Sequence, residues 1–283
     1  MKLGFKTLFI VGVAGLLSAC DSTTDRNGDP LIGMDYGGVI IKDAKKIKKI
    51  VETDSEGITM TTTYTYDKDD LATVVAKSTD GDEATYTLSY TDGVLDKVTV
   101  DEIKDAEPLT TVFNLLYVSG GKQLLSANGT ATSSGTEIHT VTTNYNYSGS
   151  KVSKVSTVYN TSAMEIGRVD TNIGYSGDNV STFDISTSMF GTAPIIVNSE
   201  LSGYDDSRKN PYAAFPDAFK AFSINYMLGS APMVVMSKSV NKYLKVNAMG
   251  QTIGINSVYK YGGDGYPISG SNDQGGKITF EYY

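Results

Sequence analysis

Between positions 84 and 90 apolar and polar side chains alternate. Ala84, Tyr86, Leu88 and Tyr90 share one face, and Thr85, Thr87 and Ser89 the other. Successive side chains of a strand point to opposite sides, so this arm predicts a β-strand with one buried and one wetted face. Asp92-Gly93 follows, a pair that tolerates the positive φ of a tight primed turn. The chain then returns through β-branched Val94, Val98 and Val100, which suit a half-buried pleated surface. The stretch is one β-hairpin.

Degenerate copies of that hairpin recur. An aromatic arm, a small polar turn and a Val/Leu arm appear at Tyr64-Thr65-Tyr66-Asp67, at Tyr145-Asn146-Tyr147-Ser148-Gly149, at Ile173-Gly174-Tyr175-Ser176-Gly177 and at Tyr259-Lys260-Tyr261-Gly262, with a closing arm over 278–283. Tyr66, Tyr90, Tyr117, Tyr147, Tyr175 and Tyr204 fall about 24 to 30 residues apart, a spacing that marks repeat architectures. The expected fold is all-β: a twisted antiparallel meander of repeated hairpins, elongated or curled, whose solvent face stays polar. Residues 42–51 fit either a helical stripe through Ala44, Ile47 and Val51 or one face of a strand. The hairpin context, with Gly57 and a Thr-rich arm following, selects the strand. Pro108 is expected between arms, where it spares the ladder.

The alternation breaks at Asp205. A polar segment ending in Asn210-Pro211 leads into Phe215, Phe219, Phe222 and Tyr226, spaced by four, three and four residues. That spacing puts four aromatic rings on one side of a helix, with Pro216 suited to its first turn and Gly229 to its stop. One short helix is therefore expected near the C-terminal third. Met227, Met233, Met236 and Met249 cluster around it in sequence and suit irregular gaps. Two readings follow for the aromatic stripe. It covers an open end or concave face of the sheet, or Phe215, Phe219, Phe222 and Tyr226 line an apolar ligand pocket.

The first residues read as an address. Lys2 and Lys6 precede an apolar run over 7–17 that is too short to span a bilayer, and Leu17-Ser18-Ala19-Cys20 matches a bacterial lipobox. The organisation read here is a lipoprotein signal peptide over 1–19, a lipidated Cys20 with a flexible tether over 20–38, and one β-repeat domain over 39–283. Cys20 is the only cysteine, which leaves no partner for an intramolecular disulfide. Several acyl chains on Cys20 would anchor the protein to a membrane without a transmembrane helix. The expected address is the bacterial cell envelope, with the outer membrane favoured and the inner membrane the alternative. Loss of Lys2 and Lys6 would take the formal charge of −8 two units lower, to −10, a poor match to nucleic acid.

These features resemble the tyrosine-aspartate (YD) repeat-like lipoproteins of Bacteroidota. The matching residues are the lipobox ending in Cys20, the hairpin units, Tyr204-Asp205 to Asn210-Pro211, Ser237-Lys238, Tyr261, Gly265-Tyr266-Pro267 and the closing arm. Several copies depart from the ideal unit: Asp67-Lys68-Asp69-Asp70 lacks the glycine, and others carry Ser-Gly. The resemblance implies an extracytoplasmic β-sheet lipoprotein and carries over no catalytic residue.

The chemistry in the chain is sparse. His139, the only histidine, shares a strand face with Val141, Thr143 and Tyr145, and no Gly-x-Ser-x-Gly elbow stands ready to partner it. A histidine-based zinc site would need more His or Cys than the mature chain offers. Asp67, Asp69 and Asp70, then Asp80, Asp82 and Glu83, read as solvated turn tips, and Asp25-Arg26-Asn27-Gly28-Asp29 is an incomplete likeness of a calcium loop. No cofactor is expected. Nineteen tyrosines against no tryptophan predict cross-strand aromatic rows, or alternatively an exposed grip on a glycan or protein partner. The leading expectation is a non-enzymatic, lipid-anchored binding or scaffold module. The alternative is a carrier holding a lipid or other apolar ligand in a curved half-barrel, and a carboxylate-based hydrolase ranks last.

Overall fold

The computed structural model describes residues 44–283 apart from 105–106, 120, 206 and 228–230, together with the backbone of 17–18. The hairpins close into an antiparallel barrel of sixteen strands. In chain order these are β1 Ile47–Thr53, β2 Thr59–Asp67, β3 Asp70–Ser78, β4 Glu83–Thr91, β5 Val94–Lys104, β6 Glu107–Tyr117, β7 Leu124–Ser133 and β8 Thr136–Ser148. They continue with β9 Lys151–Asn160, β10 Glu165–Ser176, β11 Asn179–Met189, β12 Ile195–Ser202, β13 Tyr243–Ala248, β14 Gln251–Tyr261, β15 Pro267–Asn272 and β16 Lys277–Tyr282. Each strand pairs with its sequence neighbour, and β16 pairs with β1, Phe280 opposite Ile50. The meander is thus as expected, but it is neither elongated nor a half-barrel. Closure leaves no bare sheet edge, which an open curl would have had to protect. Residues 47–53 form a strand, and Pro108 lies inside β6 opposite Ile103 rather than between arms.

Turns of two kinds close the hairpins. Asp92-Gly93, Ser134-Gly135 and Met249-Gly250 have both residues at positive φ, the primed geometry that matches strand twist. Where the glycine is missing, Lys68 itself takes φ 53°.

The recurring tyrosine has a structural reason. A β-bulge falls at Tyr66, Tyr90, Tyr117, Tyr175, Tyr261 and Tyr282, all at one end of the barrel. There the phenol of one hairpin donates to a carbonyl just past the turn of the preceding hairpin. Tyr90 bonds Leu71 at 2.9 Å, Tyr147 bonds Leu124 and Tyr175 bonds Val152 at 3.0 Å, and Tyr117 and Tyr204 reach Leu95 and Val180 in the same way. The repeat in sequence is therefore a ring of latches in space.

The faces are sorted by polarity. Tyr64, Tyr86, Phe113, Phe183 and Ile50 point inward and are almost wholly buried. Outward positions carry Thr61, Thr63, Thr85, Thr87, Thr142 and Asn144, and cross-strand ion pairs Lys49–Glu281, Lys77–Glu83, Lys154–Asp170 and Lys245–Glu200 at 2.5, 2.6, 3.2 and 2.7 Å. A barrel crossing a bilayer needs the reverse: an apolar outer band about 25 Å tall, on which each lysine at mid-depth costs about 2–4 kcal/mol. The outer face is thus mainly polar, with Val112, Leu116, Ile196 and Val258 exposed among these groups. Among the described residues no helix is long and apolar enough to cross a membrane.

Candidate ligand site

Sixteen strands enclose a lumen wide enough to leave a channel unless something fills it. Here the chain itself does so. Between β12 and β13 it turns into the barrel and forms α1 Asp217–Tyr226 and α2 Ala231–Val234. Buried Asn210 anchors this insertion, its amide donating to the carbonyls of Val234 and Ser237 at 2.7 and 2.6 Å while its oxygen accepts from the Tyr212 amide at 2.7 Å. Pro216 stands at the N-cap of α1, where its missing N–H leaves no donor to satisfy.

The expected aromatic stripe is present, and its members have different surroundings. Phe215 meets Tyr64 of β2 at 5.3 Å between centroids, and Phe222 meets Phe113 of β6 at 5.1 Å. Phe219 lies between the two and is fully buried. Tyr226, at the far end of α1, packs on both Phe222 and Phe113 at 4.6 Å. That end is also tied to the wall by polar bonds. The Tyr86 hydroxyl donates to the Tyr226 carbonyl at 2.6 Å, and Asn225 bridges Thr157 and Thr171 at 2.8 Å each. Met227 and Met233 are buried in the lumen and Met236 is packed against its core, whereas Met249 lies in the β13–β14 turn with 66% of its surface exposed. Gap-filling thus fits the first three methionines but not Met249, which the β13–β14 hairpin carries away from the helix.

Above this plug, toward the barrel end opposite the tyrosine ring, lies a cavity of about 570 Å³. Val100, Val141, Phe183 and Val197 line its wall, and Ile224, Tyr226, Met227 and Met233 its floor. Half-exposed Met189 and Ile195 are among its lining residues at that end of the barrel. Of the four aromatics singled out by spacing, Tyr226 borders the cavity, while Phe215, Phe219 and Phe222 form the packed plug beneath it.

Polar groups gather at the mouth. Glu102 of β5, His139 of β8 and Tyr159 of β9 border the cavity there, with the His139 and Tyr159 rings edge to face at 5.7 Å. Burial lowers the His139 pKa below its ordinary value, favouring the neutral imidazole. Burial, and then the charge of Glu102, push the Tyr159 phenol up to about 12. The spacing of β8 correctly groups His139 with Val141, Thr143 and Tyr145 on the inward face. That this face borders empty space is a consequence of closure. Alternation alone could have named the inward residues of β5, β9 and β11, but it gave no sign of a void between them.

The comparisons with known proteins bear on the fold. No protein-family model matches the chain, and no curated protein matches it. A porin-like protein from Bacteroides vulgatus superposes with TM-score 0.56 at 11% identity, over 84% of this chain and 99% of that one. A porin-like protein from Bacteroides uniformis gives 0.50 at 12%, over 85% and 98%. The shared feature is the barrel. At such identity the likeness concerns the fold alone, and in this chain the barrel has a polar outside, an apolar inside and an internal plug.

The remaining sequence candidates lie elsewhere. Asp69 sits in the β2–β3 turn at the tyrosine end, paired with Lys46 at 2.8 Å, while Asp80, Asp82 and Glu83 flank the β3–β4 turn at the opposite end. Among the described residues no group of three or more His, Cys, Asp or Glu side chains is placed to hold a metal ion. Cys20 and the segment 25–29 lie outside the described residues.

Proposed function

We propose that the protein is an envelope barrel that carries an apolar ligand in its lumen, held at a membrane by acyl groups on Cys20 and working in the aqueous compartment beside it. The observation that carries this reading is the cavity of about 570 Å³ with apolar walls inside a barrel whose outer face is polar. Ligand sites are concave, mostly apolar and of about 300–1,000 Å³, with a few polar groups that fix orientation. A scaffold needs no such void, since an unfilled lumen forfeits the packing that filled neighbours would contribute. The bilayer contact would be the lipid on Cys20 and not the barrel wall, because the wall carries Lys154–Asp170 and Lys245–Glu200 where lipid would require apolar side chains. The lipobox and the porin-like fold neighbours support an outer-membrane address.

Native mass spectrometry of the protein extracted from cell envelopes is the test. An adduct lost on replacing Val141 by Trp, which fills the cavity, supports the carrier. Absence of any adduct, together with failure of an environment-sensitive apolar dye to bind the native barrel, would sink it.

A further inference from the structure

The carrier reading leaves open what shape of molecule the lumen takes, and one glycine in its wall bears on that question. Among the described residues, Gly129, Gly167, Gly174, Gly254 and Gly270 lie inside strands without a positive φ. A glycine there weakens the strand, because it loses more conformational freedom on folding and packs no side chain. Four of the five make room for a neighbour. A Cβ would come within 3.0 Å of Phe113 at Gly129, of Thr182 at Gly174, of Tyr243 at Gly254 and of Tyr259 at Gly270. Gly167 of β10 makes room for none. The atoms nearest to a Cβ on it would be the Ser188 carbonyl oxygen at 3.6 Å, Tyr159 Cδ2 at 3.7 Å and Met189 Cγ at 3.9 Å, all ordinary van der Waals contacts. Neither the backbone conformation nor the packing of the chain on itself asks for glycine at this position.

What Gly167 faces is the cavity. It lies in one cross-strand row between Tyr159 of β9 and Met189 of β11, and all three border the void. Ile166, Arg168 and Ser188 border it too, although alternation turns their side chains to the outer face, so what they present to the lumen is main chain. The wall over 166–168 is therefore a bare, flat strip of backbone with a phenol ring on one side and a thioether on the other. A glycine inside a strand marks a place where a ligand comes close to main chain. A straight hydrocarbon chain has no need of that space, since it packs along side chains such as Val141 and Val169 elsewhere on the same wall. A flat ring does, and Tyr159 and Met189 supply the edge-on aromatic and sulfur contacts that suit one.

Resting on the carrier reading, we infer that Gly167 sets the width of the cavity, and that the ligand is an apolar molecule with a flat ring system lying on the bare strip of β10 between Tyr159 and Met189.

The test is binding of pyrene, a flat polycyclic fluorophore, and its displacement by hexadecanol, a straight chain, in the full-length protein and in Gly167→Ala and Gly167→Val. Gly167→Val should weaken pyrene at least about tenfold, or about 1.4 kcal/mol, and hexadecanol by less than about threefold. Gly167→Ala should fall between the native protein and the valine variant for pyrene. Both variants should unfold at urea concentrations no lower than the native protein, because a side chain at this position removes the glycine's entropic cost without a clash. Pyrene bound equally by the native protein and Gly167→Val, or both probes weakened alike, overturns the width assignment and leaves the carrier intact. A lower urea midpoint in both variants overturns it as well, by making Gly167 a packing residue. A native barrel that binds neither probe overturns the carrier reading itself.

Discussion

The Tyr175 hydroxyl donates to the carbonyl of Val152 at 3.0 Å, across 23 residues of chain and from one hairpin to the one before it. The same bond recurs around the end of the barrel, and each joins units that otherwise meet only through their strand ladders. Replacing Tyr175 by Phe keeps the ring and removes the donor. The expected loss is about 1–2 kcal/mol, the range for a buried polar group deprived of its partner, read from the urea midpoint. Unchanged stability would show that the ring packs without latching.

Gly129 of β7 lies beneath the Phe113 ring, and a Cβ there would meet Phe113 Cε1 at 2.6 Å and Cδ1 at 2.7 Å. Phe113 in turn supports Phe222 and Tyr226. Gly129→Ala should therefore cost about 1–3 kcal/mol by overpacking. It should also weaken dye binding, because the displaced ring pushes on the cavity floor. Loss of stability with dye affinity intact would separate Phe113 from the site.

Phe190 holds φ 49° ahead of Gly191 in the β11–β12 turn, a left-handed conformation that is costly for a bulky side chain. It is also 61% exposed, so little packing offsets that cost. Phe190→Asn supplies the residue this turn geometry favours, and a gain of up to about 1 kcal/mol is expected in thermal or urea unfolding. A destabilised variant would mean that the exposed ring packs on something in solution.

His139 gives a pH dependence of definite sign. Burial lowers its pKa from the ordinary 6.5, so the unfolded chain binds the proton more readily than the folded one. Its contribution to stability is whole above about pH 6.5 and declines as the pH falls through that value toward the lower folded-state pKa, where the decline levels off. Denaturation midpoints of the native protein and His139→Asn between about pH 5.5 and 7.5 check this. The curves should diverge toward acid if His139 is the titrating group, and a parallel pair would exclude it.

Local features were legible in the sequence, and global ones less so. The arm over 84–90 and its Asp92-Gly93 turn are set by neighbours in sequence, and the structure reproduces them. The stripe through Phe215, Phe219, Phe222 and Tyr226 was equally readable, because a helix repeats its face every three or four residues. The pairing of Phe280 with Ile50 was not, since it depends on the twist accumulated over all the strands between them. The same holds for the cavity. Val100, Val141 and Phe183 each read as inward-facing, but whether opposed inward faces touch depends on barrel width and on how far the plug reaches. The turn at Lys68 shows a different gap: its glycine is absent, and the ladder on either side holds a lysine in the left-handed region anyway.

Closure by β1 and β16 also dictates how the molecule must assemble. Contacts between successive hairpins are local and can form as the chain emerges, but the last seam joins residues more than 200 positions apart and waits for the C-terminus. Until then the nascent sheet has two bare edges, and its apolar face, destined for the lumen, is open to other chains. The final strand is thus a fastener: a chain stopped before Lys277 would keep most of its hairpins yet be left as an adhesive sheet, and the rate of that last zippering sets how long the protein needs protection from its own copies.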